Sequence, residues 1–224
     1  ITLDLPYLFE DLEGSKLARR RFYTLLSDLA VEALPKQLND RFENLSSKLS
    51  GHYYGEEEFD THPVYFGDVL EHLGAMAIPG CDCLGLHPSF LRYCTPCRVA
   101  SSAAHINKKQ KVLIEASNVF DVDQSITLSK IKSAVSMMFV HGINVITSYY
   151  GENILPPEQM KEFCRHTAAL GSLLDGATFK VDTLLYYPFE TLCENMPPQA
   201  TYTPSHTEAD RLGIGTLSED LQKN

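Results

Sequence analysis

The run Lys111-Val112-Leu113-Ile114-Glu115 constrains this chain more than any other segment. A near-continuous apolar stretch has no solvent face, so it needs cover on both sides, as a parallel strand in an α/β fold has. Helical spacing lies on either side of it. Over residues 16–49, Leu17, Phe22, Leu25, Leu26, Leu29, Ala33, Leu34, Leu38, Phe42, Leu45 and Leu49 recur at helical intervals. Ser15 is the expected N-cap, and Pro35 divides this helix. A short strand is expected over 49–54, followed by the acidic run Glu56-Glu57-Glu58. His62-Pro63 opens a helix to about residue 73. A second strand over 75–78 ends at Pro79-Gly80-Cys81-Asp82, and a helix and loop cover 89–107. After the apolar run come a helix over 127–141, a fourth strand over 143–147, a helix over 157–174 and a fifth strand over 183–187. A polar tail containing prolines follows Pro188.

Helix and strand alternate, which argues for parallel strands and an α/β architecture. An open nucleotide-binding sheet carries a glycine-rich phosphate loop, and neither G-x-G-x-x-G nor G-x-x-x-x-G-K-[ST] is present. Polar and aromatic residues instead follow the expected strands: His52 and Glu56, then Asp82, then Glu115, then Tyr149, Tyr150 and Glu152. In a (β/α)8 barrel the strand C-termini build the active site. The expected fold is therefore a (β/α)8 (TIM) barrel, partial here, comprising about the last four βα units. Residues 1–180 form this partial barrel, and 181–224 lead into a following domain.

The formal net charge of -10 repels nucleic acid and anionic membrane surfaces, so neither is an expected partner. The basic cluster Arg19-Arg20-Arg21 reads as a solvated helix face. No apolar run approaches the roughly 20 residues of a bilayer span. No secretory leader is visible, which favours a cytoplasmic over a secreted protein and otherwise leaves the compartment open. Ile1 reads as a mid-domain position, so the sequence is expected to be a piece of a longer chain. Cys81, Cys83, Cys94 and Cys97 follow a C-x-C, C-x-x-C spacing that can hold zinc. Buried free thiols are the expected reading, with a zinc-stabilised module as the competitor.

Two carboxyl groups on one rim, from different strands, meet the needs of glycoside hydrolysis: one protonates the leaving oxygen, the other attacks or activates water. Glu115 ends an apolar strand, where an ionisable group must face the barrel mouth or be buried at high cost. Glu56 begins three consecutive glutamates, and spacing does not say which of them points inward. His52 is a candidate sugar-hydroxyl ligand, and Tyr53, Tyr54, Tyr149 and Tyr150 are candidate sugar-stacking rings.

These residues carry a resemblance. Ser50-Gly51-His52-Tyr53-Tyr54-Gly55-Glu56 resembles the G-H-x-x-x-E segment of bacterial glycoside hydrolases related to the α-L-rhamnosidases of family 106. In order there follow Gly67-Asp68, then Ile78-Pro79-Gly80-Cys81-Asp82, similar to an I-P-G-x-D strand end. Ala100-Ser101-Ser102-Ala103-Ala104-His105 precedes Lys111-Val112-Leu113-Ile114-Glu115, like the family's small-residue helix and catalytic strand. His141-Gly142-Ile143-Asn144, Leu173-Leu174-Asp175-Gly176 and Leu185-Tyr186-Tyr187-Pro188 resemble the family's last barrel turn and the exit from the barrel. The likeness covers roughly residues 19–188. It implies that the strands are the fifth to eighth of a barrel whose first four lie before Ile1. It also implies Glu56 and Glu115 as the catalytic pair, with His52 and Asp82 lining the sugar site.

Where the family has an aromatic-glycine stretch, this chain reads Ala116-Ser117-Asn118-Val119-Phe120, which leaves the sugar open and makes Asn118 a candidate substrate ligand beside Tyr149 and Tyr150. No cofactor is expected from the residues themselves; the resemblance implies calcium. The expected activity is cleavage of a terminal glycosidic bond, with rhamnosidase-like specificity. The expected partners are a carbohydrate substrate and the rest of the barrel or another chain. The alternative is a non-catalytic carbohydrate-binding or structural barrel.

Overall fold

The computed structural model describes residues 4–85, 90–117, 126–151, 154–177 and 180–198, with side chains for all of these except 90–93. Helix α1 (Pro6–Phe9) leads into α2 (Ser15–Val31). Gly14, with φ of 96°, takes the N-cap position expected of Ser15. The Ser15 hydroxyl instead accepts from Leu12 N–H and donates to the Glu10 carbonyl. Pro35 divides the long helix as expected. It lacks an N–H for the α-helical ladder, and the chain widens into a π turn over Glu32–Lys36 before resuming as α3 (Gln37–Asn44).

Four strands follow among the described residues: β1 (Ser50–Gly51), β2 (Ile78–Cys83), β3 (Leu113–Ala116) and β4 (Val145–Ser148). They form one parallel sheet in the order β1-β2-β3-β4. The sheet is curled like half of a barrel. Sequential parallel strands joined by crossovers of one hand place their helices on one face. That face is dry: Cys81, Cys83, Ile114 and Ala116 alternate into a core with Val69, Leu73, Ala100, Ala103, Ile131, Val135 and Met138. The helices that build it are α5 (Val69–Gly74), α6 (Phe90–Ile106), α7 (Leu128–Val140) and α8 (Pro157–Leu174). Asp82 and Glu115 are the intervening residues and face the other way, across the concave side.

Several expectations need correction. The strand expected over 49–54 shrinks to two residues, because the Tyr53 N–H turns to Glu56 rather than to a neighbouring strand. The strand expected over 75–78 lies later, and takes in Pro79, Gly80, Cys81 and Asp82. Gly80 is required there: a Cβ would sit 2.5 Å from the Gly51 carbonyl oxygen of β1. The helix expected from His62 to about residue 73 breaks into α4 (His62–Tyr65) and α5. Gly67, with φ of 104°, makes the break, and the Asp68 carboxylate caps α5 through the Leu70 and Glu71 N–H groups.

The strand expected over 183–187 does not form: these residues pair with none of the described strands, and Leu184 is 95% exposed. The chain then turns back as α9 (Phe189–Glu194), whose Phe189 and Cys193 pack with Met196 against Tyr23 of α2. The arginine cluster is a solvated face only in part, with Arg21 exposed. Arg19 is buried, bonding the Tyr7 and Glu10 carbonyls and pairing with Asp11, and Arg20 pairs with Glu190 and Glu194 of α9. No helix of the described residues is long and apolar enough to cross a membrane.

Candidate active site

The concave side of the sheet gathers charge at the carboxyl ends of its strands. Asp82 on β2, Glu115 on β3 and Thr147 on β4 are in register and form one row. His52, one residue beyond β1, reaches across β2 to this row. Its Nε2 lies 2.9 Å from Glu115 Oε2, and its Nδ1 lies 2.7 Å from the Tyr53 carbonyl oxygen and 3.5 Å from Glu56 Oε1. Both catalytic candidates therefore meet one imidazole.

The two glutamates differ in access. Glu115 is 29% exposed on the concave face, whereas Glu56 is 0% exposed. Glu56 Oε1 accepts the Tyr53 N–H at 2.6 Å, and its Oε2 is buried with no hydrogen-bond partner. The loop that holds it is shaped by Gly55, at φ of 78°, and by a turn in which Glu58 N–H donates to the Gly55 carbonyl. His62 braces the same loop from behind. Its Nε2 meets the Gly55 carbonyl at 3.2 Å, and its Nδ1 meets the Tyr187 hydroxyl at 2.8 Å. The Tyr53 hydroxyl bonds His72 Nδ1 at 2.9 Å, fixing the residue whose backbone clamps both His52 and Glu56.

Electrostatics divide these groups. The Glu56 carboxylate, the Tyr53 carbonyl and Asp82 outweigh burial and raise His52 to about 10. Glu115 makes the shorter contact, but Glu56 has the stronger hold because no water screens it. Burial, with Glu56 and Glu115 nearby, pushes Asp82 up to about 6. Burial pushes Glu57 up to about 7, and its Oε2 also has no partner. Sequence reasoning missed Glu57, because nothing in a three-glutamate run marks which members turn inward.

The remaining candidates separate. Tyr149, just past β4, is 57% exposed and available to a ligand. Tyr150 is buried against Phe163, with its hydroxyl directed at the Ser117 carbonyl, and is a core residue rather than a stacking platform. Asn118 lies outside the described residues. Cys81, Cys83, Cys94 and Cys97 are buried and in no disulfide, and among the described residues they do not come close enough together to share an ion. Cys81 and Cys83 donate instead to the Leu113 and Gly85 carbonyls.

Among the described residues, the group of side chains close enough to share an ion is His52, Glu56 and Asp82, whose ligand atoms lie within 4.8 Å of one another. The set does not fit calcium, which takes six to eight oxygen ligands. One donor is a nitrogen, both His52 nitrogens are spent on acceptors, and Glu56 Oε1 is spent on a backbone N–H.

The chain matches no protein-family model, no curated protein and no solved structure. The likeness to family 106 thus stands on the sequence motifs alone.

Proposed function

We propose that this chain is the later part of a (β/α)8-barrel glycoside hydrolase, in which Glu115 is the ionised carboxylate that attacks the anomeric carbon or activates water. The observation that carries the reading is the convergence of Glu115, Asp82 and His52 on the open side of a parallel sheet, at the ends of its strands. Glycosidases need one carboxyl ionised and another protonated near neutral pH. His52 holds Glu115 in place, and Asp82 is raised to about 6, so Asp82 takes the role of proton donor. Glu56, enclosed behind His52, supports the pair by fixing the imidazole.

Asp82 and Glu115 are partners on adjacent strands. Neighbouring strands lie about 4.8 Å apart, which favours the roughly 5 Å carboxyl separation of retaining enzymes. The concentration of carboxylates favours a neutral sugar, with terminal rhamnosides the first substrates to try, and disfavours uronic acids. Exposed Tyr149 is the stacking surface for a sugar ring.

The test is turnover of a panel of aryl glycosides by the unaltered chain and by Glu115→Gln. Turnover lost in the variant while sugar binding persists supports the hydrolase. Binding without turnover in both supports the non-catalytic relative.

A further inference from the structure

We propose that His52, protonated on both ring nitrogens, is the resident cation of this site: it supplies Glu56, Asp82 and Glu115 with the positive charge that a divalent ion would otherwise supply, and it is the positioning residue that holds Glu115 in place.

The argument begins with hydrogen-bond donors. The Tyr53 oxygen 2.7 Å from Nδ1 is a carbonyl, which only accepts, so Nδ1 carries a proton. Nε2 lies 2.9 Å from a Glu115 carboxyl oxygen, and that contact also needs a proton, which Glu56 and Asp82 beside the ring draw to the imidazole nitrogen. An imidazole that ligates a metal must offer a bare nitrogen, usually while its other N–H donates to a second partner. His52 has no bare nitrogen. The trio with the spacing of a metal site is thereby filled by its own histidine.

The charges around the ring ask for this state. Glu56 faces it from the loop after β1, Asp82 from β2 and Glu115 from β3, with Glu57 one residue beyond Glu56. Glu56 is fully buried, and one of its oxygens has no hydrogen-bond partner. A buried carboxylate without a countercharge is strongly destabilising. His52 is the cation in contact with it, and the Tyr53 carbonyl and N–H lock the pair in place. The same ring passes the constraint across β2 to Glu115, which is held in place for its chemistry. The inference rests on the hydrolase reading only for what Glu115 then does. The charge state of His52 stands or falls separately.

The experiment is imidazole NMR on the nitrogen-15-labelled chain, from about pH 6 to about pH 9. Spectra are recorded with EDTA, then with calcium, zinc or manganese(II) chloride. The His52 ring is identified by the signals lost in His52→Gln. If that variant does not fold, Glu115→Gln identifies the ring instead, by removing the acceptor at Nε2. The expected result is a His52 ring with both nitrogens protonated at about pH 8, unchanged by EDTA, calcium or zinc and not broadened by manganese. A bare nitrogen at that pH, or a His52 signal shifted or broadened by any of the three ions, overturns the proposal. A chain that turns over no glycoside, yet keeps His52 doubly protonated, refutes the hydrolase reading and leaves this inference standing.

Discussion

His52 and Glu115 are joined across an intervening strand: the imidazole just beyond β1 passes over β2 to meet a carboxylate on β3 at 2.9 Å. The contact ties the two halves of the concave face together and fixes the position of a carboxylate that is 29% exposed there. Replacing His52 by Gln keeps a donor for Glu115 but removes the cation. The expected outcome is a fall in kcat on the order of 100-fold, with a smaller change in KM. The alkaline limb of kcat/KM should also move up in pH, because Asp82 loses the positive neighbour that lowers it. A fall in kcat with an unmoved pH profile would make His52 a packing residue only.

Asp82 should set the alkaline limb. Its carboxyl is raised to about 6, so the proton it would donate is lost above that pH, and activity should decline from about 6 upward. In Asp82→Asn the limb should disappear. Glycosides with poor leaving groups should lose more than aryl glycosides with good ones, since only the former need protonation. Equal losses for both leaving-group types would remove Asp82 from the acid role.

Stability should fall on both sides of neutrality. Burial lowers His62 to about 3 and His72 to about 4, and burial with Arg98 lowers His141 to about 4. The unfolded chain takes up protons below about 6.5 while these three stay neutral when folded, so their contribution drains away as pH falls from about 6.5 toward 4. His52 is raised to about 10, so its contribution is complete below about 6.5 and is lost as pH rises through 10. Asp82 and Glu57, raised to about 6 and about 7, work against the acid limb, because their folded forms hold protons longer than the unfolded chain does. Urea midpoints measured against pH should show a maximum near neutrality. His52→Gln should flatten the alkaline fall specifically.

Tyr187→Phe should destabilise by about 1–3 kcal/mol. His62 Nε2 donates to the Gly55 carbonyl, which leaves Nδ1 as the acceptor for the Tyr187 hydroxyl. The substitution orphans that nitrogen in a buried site while keeping the ring that packs on Phe59 and Phe189. Denaturant unfolding measures the loss, and an unchanged midpoint would show that the contact between 187 and the Gly55 loop carries no weight.

Gly67→Ala should cost at least as much, by a different route. Its φ of 104° is strained for alanine, and the added Cβ would lie 2.4 Å from Ser27 Oγ and 2.8 Å from Ser27 Cα. Backbone strain of this kind costs about 1–3 kcal/mol before the clash is counted. The same shift would disturb the Ser27 hydroxyl that accepts the Asp68 N–H at 2.8 Å.

The strand that carries Glu115 was legible because three apolar residues followed by a charge leave few other readings, although β3 starts two residues later than expected and runs on through Ala116. The helix over Pro157–Leu174 was legible from its proline start and its periodicity. The second strand was misplaced because Pro79 and Gly80 look like a turn. They sit inside β2 because β1 approaches too closely for any side chain at Gly80. Leu184, Leu185, Tyr186 and Tyr187 look like a strand, but they pair with neither edge of the described sheet. Glu56 was picked from its acidic run by motif likeness, and its burial depends on the Tyr53 backbone, which no spacing reveals. Tyr149 and Tyr150 are adjacent and alike in sequence. Only the turn past β4 separates an exposed ring from a core one.

The central claim is that Glu115 cleaves a glycosidic bond, and the direct measurement is turnover with the anomer of the first-formed product read by proton NMR. The account predicts a retained configuration, with turnover reduced at least 1,000-fold in Glu115→Gln, on the order of the loss of an essential catalytic group, while sugar binding persists. Turnover undiminished in Glu115→Gln, or sugar bound by the unaltered chain with no cleavage of any glycoside, would contradict it.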